Sequence, residues 1–213
     1  MAFNDRMTVQ QNEVSQPIPV WDWPVRLFHW LLALAVAGLV LTGQEGGDAM
    51  SQHALFGYGV LGLLGFRLIW GFIGSPTARF SQFLASPRQV LAYWRLSRDE
   101  KANWLGHSPP GAYAVMLMLT LLLAQALTGL MADDEIAFTG PLAAAVPGSW
   151  SAWATWYHKS IGKPAILSMI ALHLSAIAYY AIILRIPLLG AMIFGKRELQ
   201  GSRVKASERQ NDA

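Results

Sequence analysis

Cysteine is absent from all 213 residues. That excludes disulfides, thiolate-held iron–sulfur clusters and the Cys-x-x-Cys-His attachment of a c-type haem, so any metal centre must rest on histidine, methionine, carboxylate or backbone oxygen. Charge is also scarce: 14 % of residues are charged, against roughly 25 % in soluble domains. The net charge of +3 is modest, and no nucleic-acid partner is expected from it. Met1 to Gln16 is polar and lacks the apolar core of a cleaved signal peptide, so the first apolar segment is expected to stay as a span. No internal repeat or low-complexity linker stands out.

What the chain has in quantity is apolar surface, 54 % of residues, with nine tryptophans. Four runs are long and apolar enough for the roughly 20 helical residues that cross a bilayer. They lie near residues 27–43, 53–74, 111–132 and 164–184. A fifth apolar stretch, Ile186 to Gly195, is too short to span and reads as an interfacial piece. The expected fold is all-α, an integral membrane four-helix bundle. Residues 1–18 form a polar arm, 19–198 the four-span domain and 199–213 a disordered tail.

Lys and Arg are distributed unevenly. Arg6 and Arg26 lie before or at the start of the first span. Arg79, Arg88, Arg95, Arg98 and Lys101 fall between spans two and three, and Arg185, Lys196, Arg197, Arg203, Lys205 and Arg209 follow span four. The other two loops hold Lys159 and Lys163 beside Glu45, Asp48, Asp133, Asp134 and Glu135. The positive-inside rule then puts both termini in the cytoplasm. Trp21, Trp23, Trp30 and Trp70 fall near the inner interface, and Trp150, Trp153 and Trp156 near the outer one, where indole rings are favoured.

Five histidines are present. An ionisable group inside a span is costly and faces the bundle interior with a partner. This topology puts His29 (span one) and His173 (span four) toward the inner leaflet. His53 (start of span two) and His158 (just before span four) lie toward the outer one. Two levels, each with two histidines from different helices, match the needs of two bis-histidine haems. His158 and His173 are fifteen residues apart, about 22 Å of rise and about 60° of rotation, so both can serve stacked sites on one side of a helix. Gly38, Gly57, Gly59, Gly62 and Gly65 would let a flat macrocycle approach the backbone, or would serve tight helix packing.

Four stretches together resemble the bacterial cytochrome b561 family, which includes the b-type cytochrome subunits of nickel–iron hydrogenases. They are VWDWPVRLFHWLLALAVAGLVLTG, HALFGYGVLGLLGFRLIWGFIGSPTARFSQF, GHSPPGA leading into LLLAQALTGL, and the His158–His173 pair. The resemblance covers most of residues 19–198. It implies two haems b, one held by His29 with His173 and the other by His53 with His158. It also implies electron transfer between the quinone pool and a dehydrogenase, hydrogenase or c-type cytochrome. The His158–His173 spacing is one residue longer than is usual in that family, which predicts a kink or bulge near Gly162-Lys163-Pro164.

Arg67, fourteen residues after His53, and Arg26, one turn before His29, are candidate partners for propionates of the inner haem, with snorkelling to the inner headgroups as the plain alternative for Arg67. His107 and Ser108, just before span three, form a candidate quinone site, with a surface histidine capping the span as the plain structural alternative. Other functional classes stay open on the residues alone. They are a quinone-linked oxidoreductase of a small oxidant such as superoxide, a haem-free proton-relay transporter, and a membrane anchor.

Overall fold

The computed structural model describes residues 17–197 except 105 and 137. Most of the expected polar arm and all of the expected tail lie outside these residues. The chain is mostly helical, and four of its helices are long and apolar enough to cross a membrane.

The first long helix, α1 (Trp23–Glu45), starts where the Asp22 carboxylate accepts from the Val25 amide, with Pro24 in the first turn. It ends at Gly46, whose φ of 67° suits glycine. After a single 3-10 turn, α2 (Met50–Ile73) runs back antiparallel. Three short helices follow on the face that carries the termini: α3 (Phe80–Phe83), α4 (Pro87–Trp94) and α5 (Arg98–Ala102). Ser86 and Gln89 close a capping box on α4. Ser108, followed by two prolines, caps the third span, α6 (Pro109–Met131).

The fourth span is longer than expected. Helix α7 (Gly148–Tyr157) passes through a π-helical turn (His158–Gly162) into α8 (Lys163–Ile182) without a break. Its 35 residues would extend about 50 Å, well beyond the roughly 30 Å hydrocarbon core. The span was therefore expected to begin about sixteen residues too late, because Pro164 and the polar residues before it look like a helix start. The π turn is what lets the helix pass through that proline: the Lys163 amide bonds the His158 carbonyl five residues back, and the prolyl nitrogen has no proton to leave unbonded. The expected irregularity lies at this point.

The short apolar stretch forms α9 (Leu188–Phe194), which ends at Gly195 in the left-handed conformation. Beside it, β1 (Ile18–Pro19) pairs antiparallel with β2 (Lys196–Arg197), tying the two ends of the described chain together. The bundle centre is a buried cluster of Ala35, Val60, Leu64, Leu122 and Ile166. Large apolar side chains such as Leu34, Leu41, Phe72 and Ile182 are exposed on its outside, which suits a lipid solvent.

Candidate cofactor site: two imidazole pairs at two levels

The fold brings four of the five histidines together as two pairs. Nearer the termini, the rings of His29 on α1 and His173 on α8 have centroids 6.3 Å apart, with planes inclined at 51°. Toward the far face, His53 on α2 and His158 in the π turn have centroids 6.2 Å apart and planes at 75°. A metal between two imidazoles, at about 2 Å per bond and about 1.1 Å from nitrogen to ring centre, needs centroids roughly 6.3 Å apart. Both gaps therefore fit one iron. Among the described residues no cluster of three or more His, Asp or Glu could hold a metal ion, and two imidazoles from different helices are a donor set that haem iron accepts. The donor chemistry fits haem.

Room is available as well. A cavity of about 470 Å³ lies between the four spans and is lined by His53, His158, Gly43, Gly57, Lys159 and Lys163, among others. Of the glycines singled out above, Gly57 lines this space. Gly38 instead faces the Phe56 ring, whose atoms lie 2.7 Å from where a Cβ would sit, so it serves helix packing. A Cβ on Gly59, Gly62 or Gly65 would meet nothing within 4 Å.

The far-face rings are tightly held. The Nδ1 proton of His53 is donated to the Leu39 carbonyl at 3.1 Å, with the Thr42 hydroxyl oxygen 3.3 Å away. The Nδ1 proton of His158 is donated to the Gln125 carbonyl at 2.9 Å, with Thr128 Oγ1 at 3.5 Å. Carbonyls only accept, so both rings are the Nδ1–H tautomer and keep Nε2 as the nitrogen with a free lone pair. The Gln125 side chain also donates to the His158 carbonyl at 3.0 Å. Sequence reasoning missed Gln125, Thr42 and Thr128. A signal for them was present, since Leu-Thr-Gly occurs at 41–43 and again at 127–129, but three residues repeated once do not register as a repeat.

On the termini face, Arg67 is buried, 3 % exposed. It donates to the Ala78 carbonyl at 3.1 Å and lies 4.6 Å from the Phe80 ring centroid. Arg26 donates to the Ile193 carbonyl and lies against Gly195. Asp22 accepts from Trp70 Nε1 at 2.9 Å and from the Ser75 hydroxyl. His107 is partly exposed, but its ring packs edge-on against Trp21 at 4.5 Å and its Nδ1 is sealed from solvent. Burial, helped by the nearby Arg67 charge, lowers its pKa to about 4. Ser108, not His107, caps α6. Tyr93 and Tyr180 meet beneath this layer, hydroxyl to hydroxyl at 2.7 Å.

Comparison with known proteins gives a consistent picture. Residues 20–195 match the family described as prokaryotic cytochrome b561. A probable Ni/Fe-hydrogenase B-type cytochrome subunit of Rhizobium leguminosarum bv. viciae is 28 % identical, over 85 % of this chain and 89 % of its own length. A protein of the same description from Rhodobacter capsulatus is 25 % identical, over 87 % of this chain and 83 % of its own. Another from Azotobacter chroococcum is 25 % identical, over 86 % and 90 %. No solved structure matches.

Proposed function

Because the chain belongs to the prokaryotic cytochrome b561 family and is a membrane b-type cytochrome of electron transfer, we propose that it carries two haems b, one between His29 and His173 and one between His53 and His158. The supporting observation is the pair of centroid separations, 6.3 and 6.2 Å, each the spacing of two imidazoles on one iron and each between two helices. When bound there, haem would supply a reversible one-electron couple, with the four histidines as the residues that would hold it. The protein's part is to hold the imidazoles, exclude water and place charge. Val60, Leu64, Leu122 and Ile166 form the buried apolar centre of the bundle. Lys159 and Lys163 bring positive charge to the far-face cavity, where propionates need it, and Arg67 and Arg26 do so at the other level.

The Lys and Arg distribution supports an inner-membrane location with both termini cytoplasmic and the His53–His158 level toward the outside. The hydrogenase-subunit relatives favour a hydrogenase or another dehydrogenase as redox partner, with the quinone pool on the other side of the exchange. His107 and Ser108 remain the proposed quinone contacts. Partly exposed and uncharged near pH 7, His107 would reach a quinone carbonyl on opening of the Trp21 contact. One observation favours a second reading: two lysines lining the far-face cavity would also draw in a small anionic oxidant such as superoxide.

The test is a reduced-minus-oxidised spectrum of the detergent-purified chain with a pyridine haemochrome count. Two haems b per chain is the expected result. One haem would remove a pair, and none in protein made with ample haem would overturn the reading.

A further inference from the structure

The two imidazole pairs sit in different surroundings, and the difference traces to a motif used twice. Leu41-Thr42-Gly43 on α1 recurs as Leu127-Thr128-Gly129 on α6. In each copy the carbonyl three residues before the threonine, Leu39 or Gln125, accepts the histidine Nδ1 proton. The threonine hydroxyl donates back into its own helix, to Gly38 or Ala124 at 2.7 Å, which turns its oxygen toward the same ring nitrogen. The glycine lets the ring approach. A Cβ at Gly43 would lie 3.0 Å from His53 Cε1, and one at Gly129 would lie 2.9 Å from His158 Cε1.

Gln125 adds a second grip. Its main chain takes the His158 ring proton, while its side chain holds the His158 carbonyl inside the π turn. Gly162 makes this possible, because a Cβ there would overlap Gln125 Oε1. Nothing comparable surrounds the other pair. Among the described residues neither His29 nor His173 makes a side-chain hydrogen bond, and His29 Nδ1 is buried without a partner.

We propose that Thr42-Gly43, Thr128-Gly129 and Gln125 are one positioning apparatus that fixes the tautomer and tilt of the far-face imidazoles and makes them the more electron-donating pair, so that the far-face iron has the lower reduction potential. A ring whose Nδ1–H is given to a carbonyl puts more electron density on Nε2, which stabilises the ferric state of a bound iron. The inference rests on the reading that each pair holds a haem.

The experiment is a redox titration of the purified holoprotein, followed by the visible bands and by the low-spin ferric EPR signal, whose shape follows the angle between the imidazole planes. The haem count is measured in parallel. Wild type should give two one-electron waves. Thr128→Val should raise the lower wave by about threefold in its equilibrium, about 30 mV at 59 mV per tenfold, while Thr128→Ser should restore it. Gly129→Ala should raise it by about tenfold or more and change one of the two ferric signals. The upper wave should stay fixed throughout. Movement of the upper wave, or an unmoved lower wave with both haems retained, would overturn the inference and leave the di-haem reading intact. Absence of haem from wild type would overturn both, before any variant is made. If Gly129→Ala does not fold, the Thr128→Val and Thr128→Ser comparison still decides.

Discussion

The two ends of the bundle hold their histidines by different means. At the far face, His53 and His158 are held by hydrogen bonds to helix carbonyls, beside a cavity that two lysines line. At the other level, Trp30 meets the His29 ring edge-on at 5.2 Å, His173 is exposed, and among the described residues no side-chain hydrogen bond fixes either imidazole. The polar effort at that end goes into tying the chain together. Asp22 gathers Val25, Trp70 and Ser75, Arg197 reaches the Trp104 carbonyl, and β1 pairs with β2. The same residue type at nearly the same separation thus stands in one setting rich in directional bonds and in another without them, and the two should respond differently to perturbation.

Removing a ligand is the largest perturbation. His158→Ala should lower the haem count from two to one and leave the His29–His173 site intact, and His173→Ala should do the converse. The pyridine haemochrome assay reads both, and loss of both haems from either variant would show that the two levels are not independent.

Gly162→Ala should come next. Its methyl group would collide with Gln125 inside the π turn, and overpacking of this kind costs about 1–3 kcal/mol. A lowered melting midpoint, with the spectral change confined to one haem, would bear out a fault local to the far face.

An acid-sensitive termini face is the third expectation. The pKa of His107 falls from an ordinary 6.5 to about 4 in the fold. A depressed pKa means that the unfolded chain binds the proton first, so this contribution is whole above about pH 6.5 and is lost as pH falls toward 4. It is of order 3 kcal/mol. Melting or limited proteolysis between pH 7 and 4 should show the loss, and His107→Gln should flatten the profile.

The smallest effect is expected from Thr42→Val. It leaves the His53–Leu39 bond in place and removes one secondary acceptor, which is worth about 0.5–1 kcal/mol. Equal effects of Thr42→Val and Thr128→Val on stability would confirm that the two Leu-Thr-Gly steps are equivalent.

Much of this was legible in the chain. Lipid and water partition side chains so strongly that about 20 apolar residues announce a span wherever they occur. Alternating spans then assign each histidine to a level before any contact is known. The extra residue between His158 and His173, next to Pro164, pointed to an irregular turn because a helix has few ways to absorb either. The length of the fourth helix was not legible, since a proline and a few polar residues at positions 158–164 look the same in a helix start and in a π turn. Nor were the partners of Arg67, Arg26 and His107. Their hydrogen bonds, ring contacts and burial depend on how the short helices and α9 fold back over the termini face.

The sequence by itself determined the solvent, the number of spans, the family and the four histidines that share two levels, because hydropathy, charge and spacing act along the chain. The tertiary structure alone decided that the imidazoles of each pair lie with centroids 6.2–6.3 Å apart. It also decided that Leu39 and Gln125 orient one pair, and that His107 packs against Trp21. Those outcomes need residues far apart in sequence to meet within a few ångströms, and pairwise geometry of that kind is set only when the helices pack.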